Sequence, residues 1–152
     1  MSINDKRITK IRDYLFNVID TLTSNTNYQI NANMLSNKTD DYSLDKIPTQ
    51  SQVEYYVTGG GLYRDVYSFR SRKSYSQDAL VNLKNMGFFE DFEYAIKSNN
   101  DRGILPDIDG IISIECLSPF TMLSNDDGQS AIFDIQIQII YEEDFEETDI
   151  SL

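Results

Sequence analysis

Apolar residues recur every three or four positions near the start of the chain. The set comprises Ile8, Ile11, Leu15, Val18, Ile19 and Leu22. An apolar stripe with this period, flanked by charged residues, is typical of an amphipathic helix. We therefore predict a helix over residues 4–23, which the polar segment 23–27 ends.

An alternating pattern of apolar and polar residues follows this helix. Residues 28–35 predict a short strand, and the polar residues 36–50 predict a long loop. Residues 52–58 and 62–70 predict two further strands. The Gly59-Gly60-Gly61 segment between them permits the positive φ angles of a tight turn, so the two strands should form a β-hairpin.

The second half of the chain also changes from a helical to an alternating pattern. Apolar spacing predicts a helix that stops at Gly87 and a further helical stretch over residues 88–98. Strands are predicted over residues 110–117 and 131–142, the second with strict alternation. Residues 118–130 are predicted to be the linker between these strands.

This order of elements predicts an α+β fold. We expect an antiparallel or mixed sheet of about four to five strands, with helices packed on one face. A chain of 152 residues suits a single domain. We place that domain at residues 1–142 and interpret residues 143–152 as an acidic, mobile C-terminal tail.

Charge is distributed unevenly along the chain. Residues 1–75 carry 10 basic and 8 acidic side chains, a net charge of +2. Residues 76–152 carry 3 basic and 17 acidic side chains, a net charge of −14, and the whole chain has −12. Because binding to phosphate backbones needs clustered Lys and Arg, we expect no specific nucleic-acid binding. No apolar run approaches the ~18 residues of a membrane span, so we expect no membrane association.

Few residues are candidates for catalysis. The chain has no histidine, which excludes Ser-His-Asp and Cys-His catalysis and every metal site that needs His. The single cysteine, Cys116, lies beside Glu115 in a predicted strand. We interpret it as a buried, inert thiol of a protein that folds in a reducing compartment. We expect no enzymatic activity and no cofactor.

Two groups of acidic residues are compatible with a metal site. Asp107 and Asp109, with Glu115 nearby, are the ligand types of a metal or nuclease centre, and the Asn125–Gly128 loop has oxygen ligands for calcium. That loop lacks the ligand alternation and the closing Glu of an EF-hand. Turn formation and a solvated face also explain both groups, and we favour this explanation. A metal-dependent enzyme stays an alternative.

A basic and aromatic cluster at the end of the predicted hairpin is the main candidate for a contact surface. Its members are Arg64, Tyr67, Arg70, Arg72 and Tyr75. Arg and Tyr are enriched at protein interfaces, which favours a contact with an acidic neighbour. Basic residues also protect strand edges from aggregation, so both interpretations stay open.

A series of short segments between residues 47 and 141 resembles a known family. In chain order they are Ile47-Pro-Thr49, Tyr67-Ser-Phe-Arg-Ser-Arg72, Tyr75-Ser-Gln-Asp78, Asn82-Leu83, Gly87-Phe-Phe-Glu-Asp-Phe92, Leu105-Pro-Asp107 and the strand Phe133–Tyr141. The series resembles the tail-terminator proteins of long-tailed bacteriophages and phage-tail-like particles, often labelled minor capsid proteins. The resemblance covers roughly two-thirds of the chain, and the first 45 residues and the acidic tail add little to it.

The resemblance implies an α+β subunit that assembles as a ring, usually a hexamer, on the end of the tail tube. Such a ring stops tube growth and joins the tube to a neck or head-connector protein, and a contractile tail would add a sheath protein as a neighbour. The implied location is the virion or tail-like particle, assembled in the bacterial cytoplasm. No catalytic residue is implied.

Two hypotheses combine this ring with the charge pattern. The mildly basic first half and the acidic second half could supply complementary faces for contacts between successive subunits, which changing Arg70 and Arg72 to Glu would test. Acidic loops, with Asp126 and Asp127 as candidates, could line the pore so that DNA slides past without sticking. A neck or head-completion protein is the nearest alternative, and an acidic decoy that binds a host protein by DNA mimicry is a more distant one.

Overall fold

A computed structural model of the chain describes residues 3–23, 28–32, 35–36, 38–75, 79–124 and 130–144. After a 3-10 turn at Ile3–Asp5, its elements are α1 (Arg7–Leu22), β1 (Ile30–Ala32), β2 (Tyr42–Ile47), β3 (Gln52–Tyr55), β4 (Gly60–Ser74), α2 (Ala79–Asp101), β5 (Ile111–Cys116), β6 (Thr121–Ser124) and β7 (Ser130–Asp144). Neither helix within these residues is long and apolar enough to cross a membrane.

The described strands form one mixed sheet. Its order is β1-β2-β4-β7-β5, with β3 also beside β4 and β6 also beside β7. Only the β1–β2 pair is parallel among the described strands. The predicted α+β class is therefore confirmed, but the sheet has seven strands rather than about four to five.

The two strands that the sequence analysis missed are β2 and β6. They lie in the segments predicted as a polar loop and as a linker. Both are short, and each is held by pairing with a long strand, β2 with β4 and β6 with β7. A pattern within the segment itself could not reveal the pairing, because the partner strand lies outside the segment.

The long strands β4 and β7 form the frame of the sheet. They pair along their whole length, from Gly60 opposite Asp144 to Ser74 opposite Ser130. The segments β2 and β3 follow one another along β4, and β5 and β6 follow one another along β7. Because β7 runs to Asp144, it extends two residues beyond the predicted end of the domain. Residues 145–152 of the predicted tail lie outside the described residues.

Both helices pack against the same face of the sheet, as predicted. Alternate residues of β4 and β7, such as Tyr67, Phe69, Ile135 and Ile137, lie in one hydrophobic cluster with buried residues of α1 and α2. The opposite face, which we call the outer face, carries the other alternate residues, including Arg64 and the residues that follow it at every second position. Alternation of side chains along a strand accounts for this division.

The helix stop predicted at Gly87 is wrong, because α2 continues through this residue. A glycine inside a helix costs about 0.5–1 kcal/mol relative to alanine. Continuing the helix buries Phe89, Phe92 and Ile96 against the core. Burial of one large apolar side chain contributes about 1.5–3 kcal/mol, so packing outweighs the cost of the glycine.

Alanine substitutions at two glycines should have opposite effects on stability. Gly87→Ala should raise the free energy of unfolding by about 0.5–1 kcal/mol, because the added Cβ would meet nothing within 4 Å and alanine favours a helix. Gly110→Ala should lower it by about 1–3 kcal/mol. Gly110 has a φ of 75°, and a Cβ there would overlap the backbone of Glu142. Urea unfolding measures both changes, and a destabilising Gly87→Ala would contradict a continuous α2.

Candidate functional site

The predicted basic and aromatic cluster does not form one surface. Tyr67 lies on the core face, where its side chain is only 1% exposed. Its hydroxyl donates a hydrogen bond to Asp65 Oδ2 at 3.1 Å. Tyr67 therefore offers no surface to a partner and belongs to the interior of the subunit.

Arg72 is also a structural residue. It is 8% exposed, its Nε donates to Ser36 O at 2.8 Å, and its Nη1 donates to Ser130 Oγ at 3.1 Å. Its backbone N–H donates to Asp41 O, and its carbonyl accepts from the N–H of Asp40. Arg72 thus attaches the segment before β2 to the end of β4. Reversing its charge would test folding rather than assembly.

Arg64 and Arg70 remain on the outer face. Arg64 Nε donates to Gln50 O at 3.1 Å, so the guanidinium points towards the β2–β3 connection at the edge of the sheet. Arg70 Nε lies 3.9 Å from Asp134 Oδ1 on the adjacent β7. Tyr75 is half-buried just after β4. The pore candidates Asp126 and Asp127 lie outside the described residues.

Lys73, which follows Arg72 in the chain, is buried on the core face. Its Nζ donates to Tyr42 Oη at 2.9 Å and to Asp40 Oδ1 at 3.2 Å, and it lies 3.9 Å from the centre of the Phe88 ring. Burial lowers the pKa of the Lys73 ammonium, and the charge of Asp40 opposes this shift. These contacts join β2, β4 and α2, so Lys73 is also a structural residue.

Asp65 is a buried carboxylate at the centre of a charge cluster that the sequence analysis did not identify. It is 1% exposed, and its Oδ2 accepts a hydrogen bond from Arg7 Nε at 2.7 Å. Its Oδ1 lies 3.5 Å from Lys46 Nζ and 3.4 Å from Tyr141 Oη. The Arg7 guanidinium also lies over the Tyr141 ring, 4.5 Å from its centre. The alternation of β4 placed Asp65 on the face of Tyr67, and a carboxylate on a core face was the signal for a cationic partner.

Opposing effects set the pKa of Asp65. Burial by itself raises the pKa of this carboxyl. The hydrogen bond and charge of Arg7, with the charge of Lys46, outweigh burial and hold the pKa below its ordinary value. Asp65 is therefore ionised at neutral pH, and it fixes the start of α1 against the sheet.

The Asp65 cluster forms one wall of an open groove of about 1270 Å³. The other walls are the first turn of α1, the loop before β5 and the end of β7. Its charged lining residues are Asp5, Lys6, Arg7, Lys10, Lys46, Asp65, Asp107, Asp109, Glu142, Glu143 and Asp144. Pockets for small molecules are mostly apolar and enclosed, so this groove does not have their character.

Of the two acidic groups considered for a metal site, the Asn125–Gly128 loop lies outside the described residues, and Asp107, Asp109 and Glu115 do not converge. Asp107 and Asp109 line the groove, and Asp107 lies 3.3 Å from Lys10 Nζ. Glu115 lies on β5 and accepts a hydrogen bond from Gln138 Nε2 at 2.8 Å. No group of three or more Cys, Asp or Glu side chains suited to a metal ion occurs within the described part of the chain.

The Cys116 thiol is half-buried on the core side of β5. Burial, followed by the charges of Glu93 and Glu115, raises the pKa of this thiol to about 12. The sulfur is therefore protonated at neutral pH, whereas a nucleophilic cysteine needs a thiolate. This environment agrees with the interpretation of Cys116 as an inert thiol.

Exposed apolar side chains occur at two opposite edges of the sheet. The β3 edge, which we define as β3 with the turn after it, carries Val53, Tyr55 and Val57. The β5 edge, which we define as β5 and β6 with the connection between them, carries Ile112, Leu117, Met122 and Leu123. Among the described strands, β3 pairs with β4 alone, and β5 and β6 pair with β7 alone. Each edge therefore presents unpaired backbone together with apolar side chains.

No protein-family model and no curated protein matches the chain, so these comparisons assign no function to the surfaces described above. Aromatic residues of three segments that carry the family resemblance meet inside the subunit. Phe69 of β4 stacks on Phe92 of α2 with 5.5 Å between ring centres, and Phe89 lies 4.8 Å from Phe133 of β7. Pro106 of the Leu-Pro-Asp turn is buried as well. These buried residues belong to the core of the fold, whereas Leu83 and Asp107 of the same series are exposed.

Proposed function

We propose that this protein is a tail terminator, a structural virion protein whose ring caps the tail tube, stops its growth and joins it to the neck. The order of the family-like segments supports the class of protein. The observation that carries the proposal is the presence of two unlike apolar edges on opposite sides of one sheet. A ring requires that each subunit contact its neighbours through two different surfaces.

Exposed strand edges support an assembling protein rather than a solitary one. An unpaired strand with apolar side chains tends to pair with another chain, and monomeric proteins usually protect such edges. Among the described strands neither edge pairs with a further strand, although β3 and β5 each have a β-bulge and one glutamate. A partner that covers these edges removes apolar surface from water. That burial contributes about 25 cal/mol per Å².

The sheet order also converts the charge asymmetry of the sequence into a spatial one. Strands β1 to β4, from the mildly basic half, form one side of the sheet, and β5 to β7, from the acidic half, form the other. The contrast lies in the longer strands and the helices of each half, because the charged side chains of the edge strands β3 and β5 are a single glutamate each, Glu54 and Glu115.

The partners of this proposed terminator are further copies of itself, the tail tube protein and a neck or head-connector protein. A sheath protein joins them if the tail is contractile. The resemblance favours a hexameric ring located in the virion or tail-like particle.

The native mass of the full chain, measured by light scattering with and without tail tubes, tests this proposal. We expect a hexamer, or a monomer that becomes a ring only on tubes. Adding the protein to growing tubes should also stop their elongation, whereas an unrelated protein of similar negative charge should not. A monomer that leaves tube length unchanged would contradict the proposal and favour a neck or head-completion protein.

A further inference from the structure

The exposed side of α2 carries large apolar side chains. Leu80, Leu83, Met86 and Tyr94 are between 59% and 71% exposed. Helix α1 packs on the same face of the sheet, and the structure describes all of its residues, yet no large apolar side chain of α1 is exposed. A helix that is apolar on all sides is normally buried on all sides. The exposed side of α2 therefore indicates a contact that the single subunit does not supply.

Gly87 lies on this side of α2 between Leu80 and Tyr94, because each of these residues is seven positions, about two helical turns, away from it. Its backbone is helical, and a Cβ added there would meet nothing within 4 Å. The single subunit therefore does not need a glycine at this position, where alanine would favour the helix. Glycine does allow a second backbone to approach closely. Gly87 is thus suited to be the crossing point of two helices.

Opposite charges flank Gly87 along the same side of the helix. Lys84 precedes it by three residues and Asp91 follows it by four, and both are exposed. Neither charge forms an ion pair within the part of the chain that the structure describes. We define Leu80, Lys84, Gly87, Asp91 and Tyr94 as the α2 stripe. It has an apolar residue at each end and one charge of each sign around its centre.

We propose that the α2 stripe of one copy packs against the α2 stripe of a second copy, with the two helices antiparallel and crossing at Gly87. Leu80 of each copy then lies against Tyr94 of the other, and Lys84 of each copy lies near Asp91 of the other. A two-fold axis relates the copies, so each contact occurs twice. This contact goes beyond the proposed ring, because a two-fold contact ends at two copies and cannot close a ring.

The charges of the α2 stripe favour a second copy as the occupant and fix its direction. The negative partner that Lys84 lacks in its own subunit is present on the same stripe, at Asp91. Opposite charges meet in an antiparallel pair, whereas in a parallel pair each charge would meet its own copy. Because like charges in contact oppose association, complementarity selects the antiparallel pair.

The pair should be weak in dilute solution. Each copy contributes one helix to the contact, and interfaces that bury less than about 1,200 Å² are typical of transient association. We therefore expect the pair at high protein concentration and its dissociation on dilution. The native mass expected for the proposed ring then applies to the dilute protein.

Chemical cross-linking of cysteine variants tests the direction and the crossing point. In a Cys116→Ala background, one chain carries Leu80→Cys and a second chain carries Tyr94→Cys. A short bismaleimide should join the two chains in a concentrated mixture, because the two cysteines face each other across the pair. It should join neither chain to itself, because equivalent positions lie fourteen residues apart along the antiparallel helices, about 21 Å. The mixed pair keeps the Leu80–Tyr94 contact at its other end.

Charge variants test the register of the pair. Lys84→Asp or Asp91→Lys alone should raise the dissociation constant of the pair roughly tenfold, because like charges then meet at two places. The double variant should restore the dissociation constant of the wild type. Asp13→Lys reverses an exposed charge of α1 and is the matched control, which should leave association unchanged. Sedimentation velocity over a series of protein concentrations measures each variant.

Gly87→Ala separates the contact from the fold. This substitution should stabilise the isolated subunit but raise the dissociation constant of the pair roughly tenfold, because two added methyl groups would hold the backbones apart. A residue with a role in the subunit alone would change stability without changing association. Unchanged association of Gly87→Ala would therefore overturn the crossing at Gly87.

The remaining outcomes keep this inference distinct from the proposed function. Cross-linking of the Leu80→Cys chain to itself would indicate a parallel pair and overturn the inference, as would the absence of cross-links in the mixture at the highest soluble concentration. Equal dissociation constants for all charge variants would overturn the register. Cross-linked pairs of a protein that does not stop tube growth would support the α2 contact and remove the tail terminator. A protein that stops tube growth without forming these cross-links would overturn the α2 contact alone.

Discussion

Replacement of Phe69 by alanine is expected to lower the free energy of unfolding by about 3–5 kcal/mol. Phe69 has no exposed surface. Its ring stacks on the rings of Tyr42 and Phe92, and the distances between ring centres are 5.3 Å and 5.5 Å. It thereby connects β2, β4 and α2. The truncated side chain loses its burial and leaves a cavity that these rings can only partly fill.

Urea unfolding followed by far-UV circular dichroism measures the change, because the chain has no tryptophan to report by fluorescence. The total stability of a domain is commonly about 5–15 kcal/mol, so the variant loses a large share of it. Tyr94→Ala is the control, since Tyr94 is an aromatic residue of α2 that is 71% exposed. A similar loss in both variants would contradict the central position of Phe69.

Replacement of Asp65 by asparagine should lower the free energy of unfolding by about 2–3 kcal/mol at neutral pH. Removing one partner of a fully buried ion pair costs about 3–5 kcal/mol. The loss should be smaller here because the side chains of Arg7 and Lys46 are 38% and 51% exposed and can bind water instead. The asparagine keeps the size of Asp65 but removes its charge.

The effect of Asp65→Asn should depend on pH with a defined sign. The pKa of Asp65 is lowered in the folded chain from its ordinary value of 3.8. Its ionised form therefore stabilises the fold above pH 3.8, and this stabilisation is lost as pH falls through the lowered pKa. The difference in stability between the wild type and Asp65→Asn should thus be largest at neutral pH and shrink in acid.

Asp107→Asn is a matched control within the same groove. Asp107 also pairs with a cation, Lys10, but its side chain is 94% exposed, and exposed ion pairs contribute little to stability. Its substitution should change the stability by no more than the error of measurement. A difference for Asp65→Asn that grows on acidification would contradict the ion pair with Arg7.

The periodicity of the sequence was sufficient to predict several elements of the fold. The apolar stripe predicted α1, the glycines at 59–61 predicted the β3–β4 hairpin, and strict alternation predicted β7. In each case the signal lies within the element, because side-chain direction repeats every 3.6 residues in a helix and every two in a strand. The α+β class followed from the order of these elements.

Functional surfaces were less predictable, because burial depends on distant parts of the chain. Tyr67 and Arg72 looked like interface residues in sequence, yet one bonds to Asp65 in the core and the other holds the segment before β2. The Asp65 cluster was missed because Arg7 and Tyr141 are distant from Asp65 along the chain. The composition of the chain and the spacing of its residues do not show which distant residues come into contact in the fold.

The sequence by itself therefore determined α1, the hairpin, the long last strand and the charge of each half, since these depend on neighbouring residues. Only the tertiary structure decided that β2 and β6 are strands, that α2 passes through Gly87, and that the two halves lie on opposite sides of one sheet. Short strands exist only when a partner supplies their hydrogen bonds, and a helix passes a glycine when burial of the next turns outweighs its cost. Both conditions are set by contacts with residues outside the segment itself.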